Sequence, residues 1–281
     1  MFVWLASYPK SGNTWLRSMI ASYFYTKDGE FNFEVLDNID QFPTFTYFEN
    51  YKDKFDKPKS TAKYWLDAQV KINEDKKIKF FKTHNAFCKV NNSLFTDQKN
   101  TLGAIYIVRD PRNIVTSIAN HYDKNIQDAL EFMKDEERCL LYKNRERYLG
   151  FVALFSWILH QKSWVQNKQF PTLIIKYEDM QTQTFKVFEK VINFIRSILK
   201  TKVSFDREKA KKVVQSCNFN KMQKLEKIEV FRESVMKKDG NSEINFFNLG
   251  PKNNFKELLD KGVIKEMNIY FRDQLKEFKY E

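Results

Sequence analysis

The sequence predicts an α/β fold of three layers, in which a mostly parallel central sheet is covered by helices on both faces. Four short apolar runs rich in β-branched and aromatic residues have the length and composition of buried strands. Between or after them lie longer segments with apolar residues at helical spacing, and such alternation is typical of a parallel sheet. The predicted strands are residues 2–7, 78–83, 104–108 and 172–176, and the predicted helices are residues 14–25, 111–122, 150–167 and 184–199.

The clearest helix start is Asp110-Pro111, which follows the strand that ends at Val108. The carboxylate of Asp110 can accept hydrogen bonds from free backbone N–H groups, and Pro111 stands where no N–H is needed. The charged stretch 123–147 is expected to be exposed helix. The basic stretch 207–227 mixes lysines with apolar residues at helical spacing, which predicts an amphipathic helix.

Two regions have less regular patterns and are interpreted as capping or mobile elements: the aromatic-rich residues 31–65, and residues 237–256, which contain Gly240, Gly250 and Pro251. The aromatic side chains of the first region either line a ligand pocket or form the core under a cap. We favour core, because aromatic stripes are usually buried. These side chains are Phe31, Phe33, Phe42, Phe45, Tyr47, Phe48 and Tyr64.

The 281 residues are expected to form one domain, residues 1–281, since the chain shows no linker, internal repeat or low-complexity tract. The formal net charge of +12 favours an anionic ligand, nucleic acid or an acidic membrane surface. A solvated lysine-rich surface without a special role explains the charge equally well.

Cysteine usage and hydropathy predict a cytoplasmic protein. Cys88, Cys139 and Cys217 lie far apart, a spacing that suggests neither a disulfide framework nor a zinc site. The apolar run 2–6 has no basic flank before it, and no stretch approaches the ~18 apolar residues of a membrane span.

The first candidate site is the segment YPKSGNTW at residues 8–15, between a predicted strand and a predicted helix. Such a loop places backbone N–H groups and a helix N-terminus around one point, an arrangement that binds phosphate, and Lys10 adds a positive charge. In magnesium-dependent nucleotide hydrolases the lysine follows the second glycine of the loop. Here Lys10 precedes Gly12, which argues against magnesium-dependent phosphoryl transfer. An ordinary strand-to-helix turn with a surface lysine is the alternative.

The second candidate site is Lys82-Thr83-His84 at the end of a predicted strand. Ligands of open α/β sheets bind outside the carboxyl ends of the strands, so this triplet is expected near the first loop. Imidazole has a pKa suited to a general base, and Lys82 can offset negative charge on a departing oxygen. A purely structural His84, bonded to a backbone carbonyl, is an equally good interpretation of the triplet alone.

The third candidate site pairs Arg109, at a strand end, with Ser117, eight residues later on the helix that begins at Pro111. A guanidinium and a hydroxyl suit a terminal phosphate monoester. Taken alone, a salt bridge of Arg109 with a nearby carboxylate and a solvent-facing Ser117 would be the simpler interpretation.

Together these three segments resemble the nucleotide-dependent sulfotransferases of the cytosolic type. YPKSGNTW resembles the family's 5′-phosphosulfate loop, FFKTHNAF its catalytic segment, and IVRDPRNIVTSIANHY its 3′-phosphate segment, with the same step from Arg109 to Ser117. IIKYEDM resembles the strand that would place Tyr177 near the nucleotide. SCNFNKMQKLE resembles the segment whose phenylalanine, here Phe219, stacks on adenine opposite Trp15.

The resemblance implies a P-loop NTPase-like fold and transfer of a sulfuryl group from 3′-phosphoadenosine 5′-phosphosulfate, with 3′,5′-adenosine bisphosphate as product. A sulfuryl group carries less charge than a phosphoryl group, so no metal is expected. Residues 31–65 would form the acceptor region and residues 237–256 a loop over the donor. The implied roles are His84 as general base, Lys82 and Lys10 at the transferring group, Ser11, Gly12, Asn13 and Thr14 at the phosphosulfate, Trp15, Tyr177 and Phe219 around the nucleoside, and Arg109 and Ser117 at the 3′ phosphate.

The chain departs from the family pattern in the loop near its C-terminus. Many members have Arg-Lys-Gly there, followed by Gly-Asp-Trp, whereas this chain has Asn-Leu-Gly ending at Gly250 and then Asn-Asn-Phe ending at Phe255. Gly250 is kept, and Lys252 is the candidate replacement for the missing cations. Asn13 stands where threonine is usual and keeps the capacity for hydrogen bonding.

Two other functions compete with a sulfotransferase. A small-molecule or nucleotide kinase is disfavoured by the missing Gly-Lys-Ser/Thr order and by the absence of a clear magnesium carboxylate in the sequence. A non-catalytic binder of nucleic acid or sulfated polysaccharide is suggested only by charge. For the favoured enzyme we expect a small-molecule or carbohydrate acceptor with a hydroxyl or, less favoured, an amine, and no nucleic acid partner. Acceptor identity and oligomeric state stay open.

Overall fold

Strands and helices alternate along the chain in the computed structural model, which describes residues 1–51, 57–144, 147–229, 231, 233, 235–236 and 243–280. The strands are β1 (Phe2–Ser7), β2 (Asp40–Gln41), β3 (Lys79–Thr83), β4 (Lys89–Val90), β5 (Ser93–Leu94), β6 (Thr101–Val108), β7 (Cys139–Asn144), β8 (Arg147–Ala153), β9 (Thr172–Lys176), β10 (Val235–Met236) and β11 (Glu243–Ile244). The helices are α1 (Asn13–Tyr25), α2 (Trp65–Ile72), α3 (Pro111–His121), α4 (Ile126–Lys134), α5 (Trp157–Val165), α6 (Tyr177–Thr182), α7 (Thr184–Ile198), α8 (Arg207–Ser216), α9 (Phe219–Glu226), α10 (Phe255–Leu258), α11 (Lys261–Tyr270) and α12 (Arg272–Glu277).

The central sheet has five strands in the order β2-β3-β1-β6-β9, and every pairing is parallel. In the register of the sheet, Ala6 lies between Thr83 of β3 and Tyr106 of β6. The carboxyl ends of β1, β3 and β6 therefore meet at one edge, where all three candidate sites follow their strands. The predicted α/β class with a mostly parallel sheet is confirmed.

The two faces of the sheet bury different cores, as strand geometry requires of alternating side chains. Phe2 and Trp4 pack on one face, with Trp157 and Trp164 of α5, whereas Val3 and Leu5 belong to the cluster on the other face with α1 and α7. All four strand side chains are fully buried. Helices thus cover both faces, which gives the predicted three layers.

The helix predicted for residues 150–167 is only partly correct. Residues 150–153 belong to β8, which pairs with β7 in an antiparallel hairpin, and α5 begins at Trp157 after a cap in which the Ser156 hydroxyl accepts from the Leu159 N–H. Phe151, Val152 and Ala153 form an unbroken apolar run, and such a run has no periodicity to separate a buried strand from a helix.

Of the exposed helix predicted for residues 123–147, only Ile126–Lys134 is helical, and this helix is not simply exposed, because it buries Ala129, Leu130, Phe132 and Met133. The Asn125 side chain caps that helix by accepting from the Asp128 N–H, and β7 begins at Cys139. Residues 145 and 146 lie outside the described part of the chain. The amphipathic helix predicted for residues 207–227 is two helices, α8 and α9, because the Asn218 side chain caps a new start by accepting from the Lys221 N–H.

Residues 31–51 and 57–65 consist mainly of 3-10 turns, and most of their aromatic side chains are core. Phe42 and Phe48 are fully buried and pack with Trp4 and the sheet, while Phe31 and Phe33 are buried on the opposite face. Phe45 is the exception, at 43% exposure. Residues 52–56 lie outside the described part of the chain. Among the described residues, no helix is both long and apolar enough to cross a membrane.

Residues 243–256 comprise β11, a 3-10 turn at Gly250–Lys252 and the start of α10. The mobility expected of residues 237–256 stays a prediction, and residues 237–242 lie outside the described part of the chain. The predicted helix start at Asp110 is confirmed, because its carboxylate accepts from the Arg112 N–H.

Candidate functional site

The loop between β1 and α1 is held in a shape that requires glycine at position 12. Gly12 has a φ of 96°, in the left-handed region, and a Cβ there would lie 2.5 Å from Cδ2 of Tyr177. Lys10 also has a positive φ, of 65°. The chain therefore turns tightly just before the N-terminus of α1, where free backbone N–H groups make an anion site.

Asn13 closes the base of this loop. Its side-chain amide donates to the carbonyl of Leu5 at 2.8 Å and to Oγ of Ser7 at 3.2 Å. The amide hydrogens are thus used within the protein, and the remaining side-chain oxygen is only an acceptor, which an anion does not bind. Asn13 can still contribute its backbone N–H to the loop.

His84 is oriented by the end of β1. Its Nδ1 lies 2.8 Å from the carbonyl oxygen of Ser7. Because a carbonyl can only accept, Nδ1 carries the hydrogen, and Nε2 keeps a lone pair. Burial, together with the neighbouring charge of Lys82, lowers the pKa of His84 to about 3. The imidazole is therefore neutral and keeps the lone pair on Nε2, although a pKa this low makes it a weaker base than free imidazole.

Lys82, buried at the end of β3, forms an ion pair that the sequence analysis missed. Its Nζ lies 2.9 Å from Oε1 of Glu233. The same carboxylate accepts from Nη1 of Arg17 at 2.6 Å and from the hydroxyl of Thr14 at 3.0 Å. Burial opposes this negative charge, but the cations of Lys82 and Arg17 outweigh it and hold the pKa of Glu233 well below its usual range.

Arg109 and Ser117 meet as the eight-residue spacing predicts. Nη1 of Arg109 donates to the carbonyl of Lys10 at 2.7 Å and to Oγ of Ser117 at 3.4 Å, and the guanidinium lies over the ring of Tyr177 at 4.2 Å. Asn253 adds a side chain not foreseen from the sequence, because its amide donates to the Ser117 hydroxyl at 2.8 Å. The C-terminal loop is thereby tied to this subsite.

Lys10 is partly buried beside an aromatic ring. Its ammonium lies 3.7 Å from the centre of the Phe246 ring. Burial lowers the pKa of Lys10 to about 7, although Glu233 acts to raise it and Lys82 and Arg109 act to lower it. An anion at this place would stabilise the charged form of Lys10.

A single cleft of about 890 Å³ joins these groups. Of the predicted site residues, Ser11 and Lys252 do not line it: Ser11 is buried, and Lys252 is exposed on the turn beside it. The role of each stays a prediction. The predicted residues that line the cleft are Lys10, Gly12, Asn13, Thr14, Trp15, Lys82, His84, Arg109, Ser117, Tyr177, Phe219 and Gly250.

The aromatic end of the cleft is closely packed. A Cβ on Gly250 would lie 2.3 Å from Cε2 and Cζ of Phe219, so only glycine lets the loop pass over this ring. The indole N–H of Trp15 and the Nε–H of Arg109 are buried without a hydrogen-bond partner in the described part of the chain. Two buried donors therefore remain for a ligand in the cleft, since buried polar groups are normally bonded.

The sequence carried a signal for one of the missed residues. Arg17 is three positions after Thr14 on α1, a spacing that brings side chains to one helix face. No local pattern marks Glu233 or Asn253, which reach the site from distant parts of the chain. His121 at the end of α3 also lines the cleft, and burial, with Lys10 nearby, lowers its pKa to about 3.

The chain is similar to known proteins along most of its length. A family model described as "Sulfotransferase domain" matches residues 2–279. Sulfotransferase 1B1 of the dog is 25% identical over 210 residues, covering 71% of this chain and 60% of the relative. Sulfotransferase 4A1 of the mouse is 23% identical over 218 residues, covering 77% of this chain and 65% of the relative. The matched part thus spans less than two thirds of either curated relative.

Two solved structures share the fold. Retinol dehydratase in complex with androsterone and the inactive cofactor PAP superposes with a TM-score of 0.61 at 16% identity, covering 98% of this chain and 80% of that chain. Mouse sulfotransferase SULT7A1 complexed with PAP superposes with a TM-score of 0.59 at 19% identity, covering 98% of this chain and 84% of that chain. At these identities the likeness concerns the fold.

Proposed function

The chain belongs to the sulfotransferase family, and on that premise we propose that it transfers a sulfuryl group from 3′-phosphoadenosine 5′-phosphosulfate to a hydroxyl of a small molecule. The observation that carries the proposal is the meeting of two anion subsites in one cleft, Lys10 with Lys82 and Arg109 with Ser117. A nucleotide phosphorylated at both ends matches two such subsites. The neutral His84 lies in the same cleft.

The donor would be held by the loop before α1 and by the C-terminal loop. Backbone N–H groups of residues 11–14 would bind the 5′ phosphosulfate, and Arg109 would bind the 3′ phosphate with the hydroxyl of Ser117. Adenine would stack between Trp15 and Phe219, and stacking of this kind contributes ~1–3 kcal/mol per base in nucleic-acid binders.

Transfer would proceed in one displacement at sulfur. The acceptor oxygen forms a bond to sulfur while the bond from sulfur to the bridging oxygen of the 5′ phosphate breaks. The acceptor proton passes to Nε2 of His84, the nitrogen that the Ser7 contact leaves with a lone pair. Lys82 steadies the sulfuryl oxygens, and Lys10 offsets the charge on the departing phosphate. Cationic side chains and N–H donors aimed at developing charge are an effective source of catalysis.

The acceptor would meet the wall of the cleft outside the two anion subsites, which includes Gln41, Leu140 and Tyr122. This wall is mixed, with apolar and aromatic surface beside a few polar groups, which suits a hydroxyl-bearing organic molecule. Retinol dehydratase, which shares the fold, has also been solved in a complex with retinol and PAP, and both of its small ligands, androsterone and retinol, are molecules of this kind.

Binding of the donor product separates the proposal from a kinase and from a polyanion binder. Adenosine 3′,5′-bisphosphate should raise the melting temperature without magnesium, and ATP with magnesium should give a smaller shift. If only ATP with magnesium stabilises the protein, a kinase is the better interpretation. If heparin alone does so, the protein is a polyanion binder. Labelled donor with an acceptor library then identifies the acceptor.

The role of His84 has its own test. In His84→Asn the side-chain amide can still donate to the Ser7 carbonyl, but the basic nitrogen is gone. We expect bisphosphate affinity within twofold of the wild type and turnover lowered by about 10²–10⁴-fold, the range of general-base catalysis. His121→Asn, in the same cleft, is the matched control and should keep most of the turnover. Equal loss of donor binding and turnover in His84→Asn would make His84 structural.

A further inference from the structure

Glu233 lines the cleft that holds the predicted anion site. Its two oxygens accept from Thr14, Arg17 and Lys82, at 3.0, 2.6 and 2.9 Å. Thr14 belongs to the proposed phosphosulfate loop, and Lys82 is the side chain proposed to steady the transferring group. The carboxylate of Glu233 and the anionic end of the nucleotide therefore compete for the same protein residues.

The two anions cannot both form strong hydrogen bonds with these residues at the same time. The side chains of Lys82 and Arg17 are only 6% and 9% exposed, so solvent does little to screen a second negative charge placed there. Each buried cation needs a counter-charge, and Glu233 supplies it for Lys82 and Arg17. The ammonium of Lys10, in contrast, lies over the uncharged ring of Phe246.

We propose that Glu233 is an internal substitute for the donor's sulfuryl group, which holds the subsite in the donor-free protein and must leave Lys82 and Thr14 when the donor binds. This inference rests on the proposed function of the cleft. Glu233 thereby weakens donor binding and favours a ligand whose 5′ end carries enough negative charge to replace the carboxylate. The ion pair with Arg17 gives the displaced carboxylate a partner that is not part of the proposed transfer.

Glu233→Gln tests the displacement, because it keeps the size of the side chain and removes its charge. We expect 3′-phosphoadenosine 5′-phosphosulfate to bind at least tenfold more tightly to the variant, and the bisphosphate to gain less because it lacks the sulfuryl group. Adenosine 3′-monophosphate, which has no anion at the 5′ end, should bind unchanged. Glu229→Gln is the matched control: it removes an equal charge from an exposed position four residues earlier and should change none of the affinities.

A second variant covers the case in which Glu233→Gln does not fold. Glu233→Asp keeps the charge but shortens the side chain, so its contacts with Lys82 and Thr14 weaken and donor affinity should rise by a smaller factor. Unchanged or weaker donor binding in the folded Glu233 variants, with normal binding by the wild type, would overturn the inference and leave the proposed function standing.

Inorganic sulfate separates failure of this inference from failure of the proposed function. If no form of the protein binds the phosphosulfate donor or the bisphosphate, the proposed function is wrong. Sulfate should nevertheless raise the melting temperature of Glu233→Gln more than that of the wild type. In the variant, Lys82, Arg17 and Thr14 no longer bond to a carboxylate and can bond to the sulfate ion. Equal shifts in the two proteins would overturn the inference whatever the nucleotide result.

Discussion

Replacing Gly250 by alanine should weaken donor binding through the ring that lies under it. A Cβ at this position would lie 2.3 Å from two carbon atoms of Phe219. Because carbon atoms pack at about 3.5–4.0 Å, the ring or the loop must retreat by about 1.2–1.7 Å. The φ of 52° adds roughly 1–2 kcal/mol of backbone strain for a residue with a Cβ.

The displaced ring should lose its stacking with adenine. With stacking at ~1–3 kcal/mol, the dissociation constant of the bisphosphate should rise about 5- to 150-fold. Isothermal titration calorimetry gives the affinity, and a melting curve shows that Gly250→Ala is folded. The matched control is Gly262→Ala, near the start of α11, where an added Cβ meets no atom within 4 Å. That variant should keep donor affinity and gain up to about 1 kcal/mol of stability from helix propensity.

A double-mutant cycle decides whether the effect passes through Phe219. Phe219→Ala removes the ring, so Gly250→Ala in that background should lower donor affinity little further. Wild-type affinity in Gly250→Ala, or the same loss in both backgrounds, would refute a stacking role for Phe219 that depends on this glycine.

Three further predictions concern charges in the cleft. The pKa of Lys10 is about 7, and a bound anion should raise it. Bisphosphate affinity should therefore be full below pH 7 and fall by up to about tenfold per pH unit above it. Calorimetry of Lys10→Met should show no such pH dependence, and an unchanged dependence would assign it to another group. The pKa of His84, about 3, should rise when the bisphosphate binds, because a nearby anion stabilises the charged imidazole. An NMR titration of the ring measures this shift, with His84→Asn used to assign the signal. A constant pKa would place the anion away from His84. Arg109→Lys keeps the charge but loses Nη1, which donates to the Lys10 carbonyl and to the Ser117 hydroxyl, and loses the planar fork that suits a phosphate. The bisphosphate should therefore bind about tenfold more weakly, whereas adenosine 5′-phosphosulfate should be unaffected. An equal loss of affinity for both ligands would contradict a 3′-phosphate role for Arg109.

Local patterns predicted the framework of the fold well. β1 and β9 begin and end where composition placed them, and α7 differs from its predicted end by one residue. The β7–β8 hairpin was missed because Phe151 to Ala153 form an apolar run that fits a helix as well as a strand. The three loops of the site were predictable because parallel strands bring their carboxyl ends to one edge, whatever the helices between them do.

The balance of charge in the site was not predictable, because it depends on contacts between distant parts of the chain. Glu233 bonds to Thr14 across 219 positions of sequence, and nothing in its neighbourhood distinguishes it from other glutamates. The tautomer of His84 depends on the Ser7 carbonyl, whose position only the folded sheet defines. Asn253, which holds the C-terminal loop to Ser117, followed two positions after a proline in a segment with no regular pattern.

The net charge of +12 explains little about function, whereas the arrangement of a few buried cations explains much. Lys82 and Arg109 are buried and Lys10 is partly buried, and removing cations from water is costly. The structure offsets that cost through the lowered pKa of Lys10 and the carboxylate of Glu233. A nucleotide donor with anions at both ends would itself neutralise these cations. Its binding should therefore be accompanied by uptake of a proton at Lys10 and by release of Lys82 from its ion pair with Glu233. Proton uptake and displacement of Glu233 are therefore two measurable consequences of one electrostatic design.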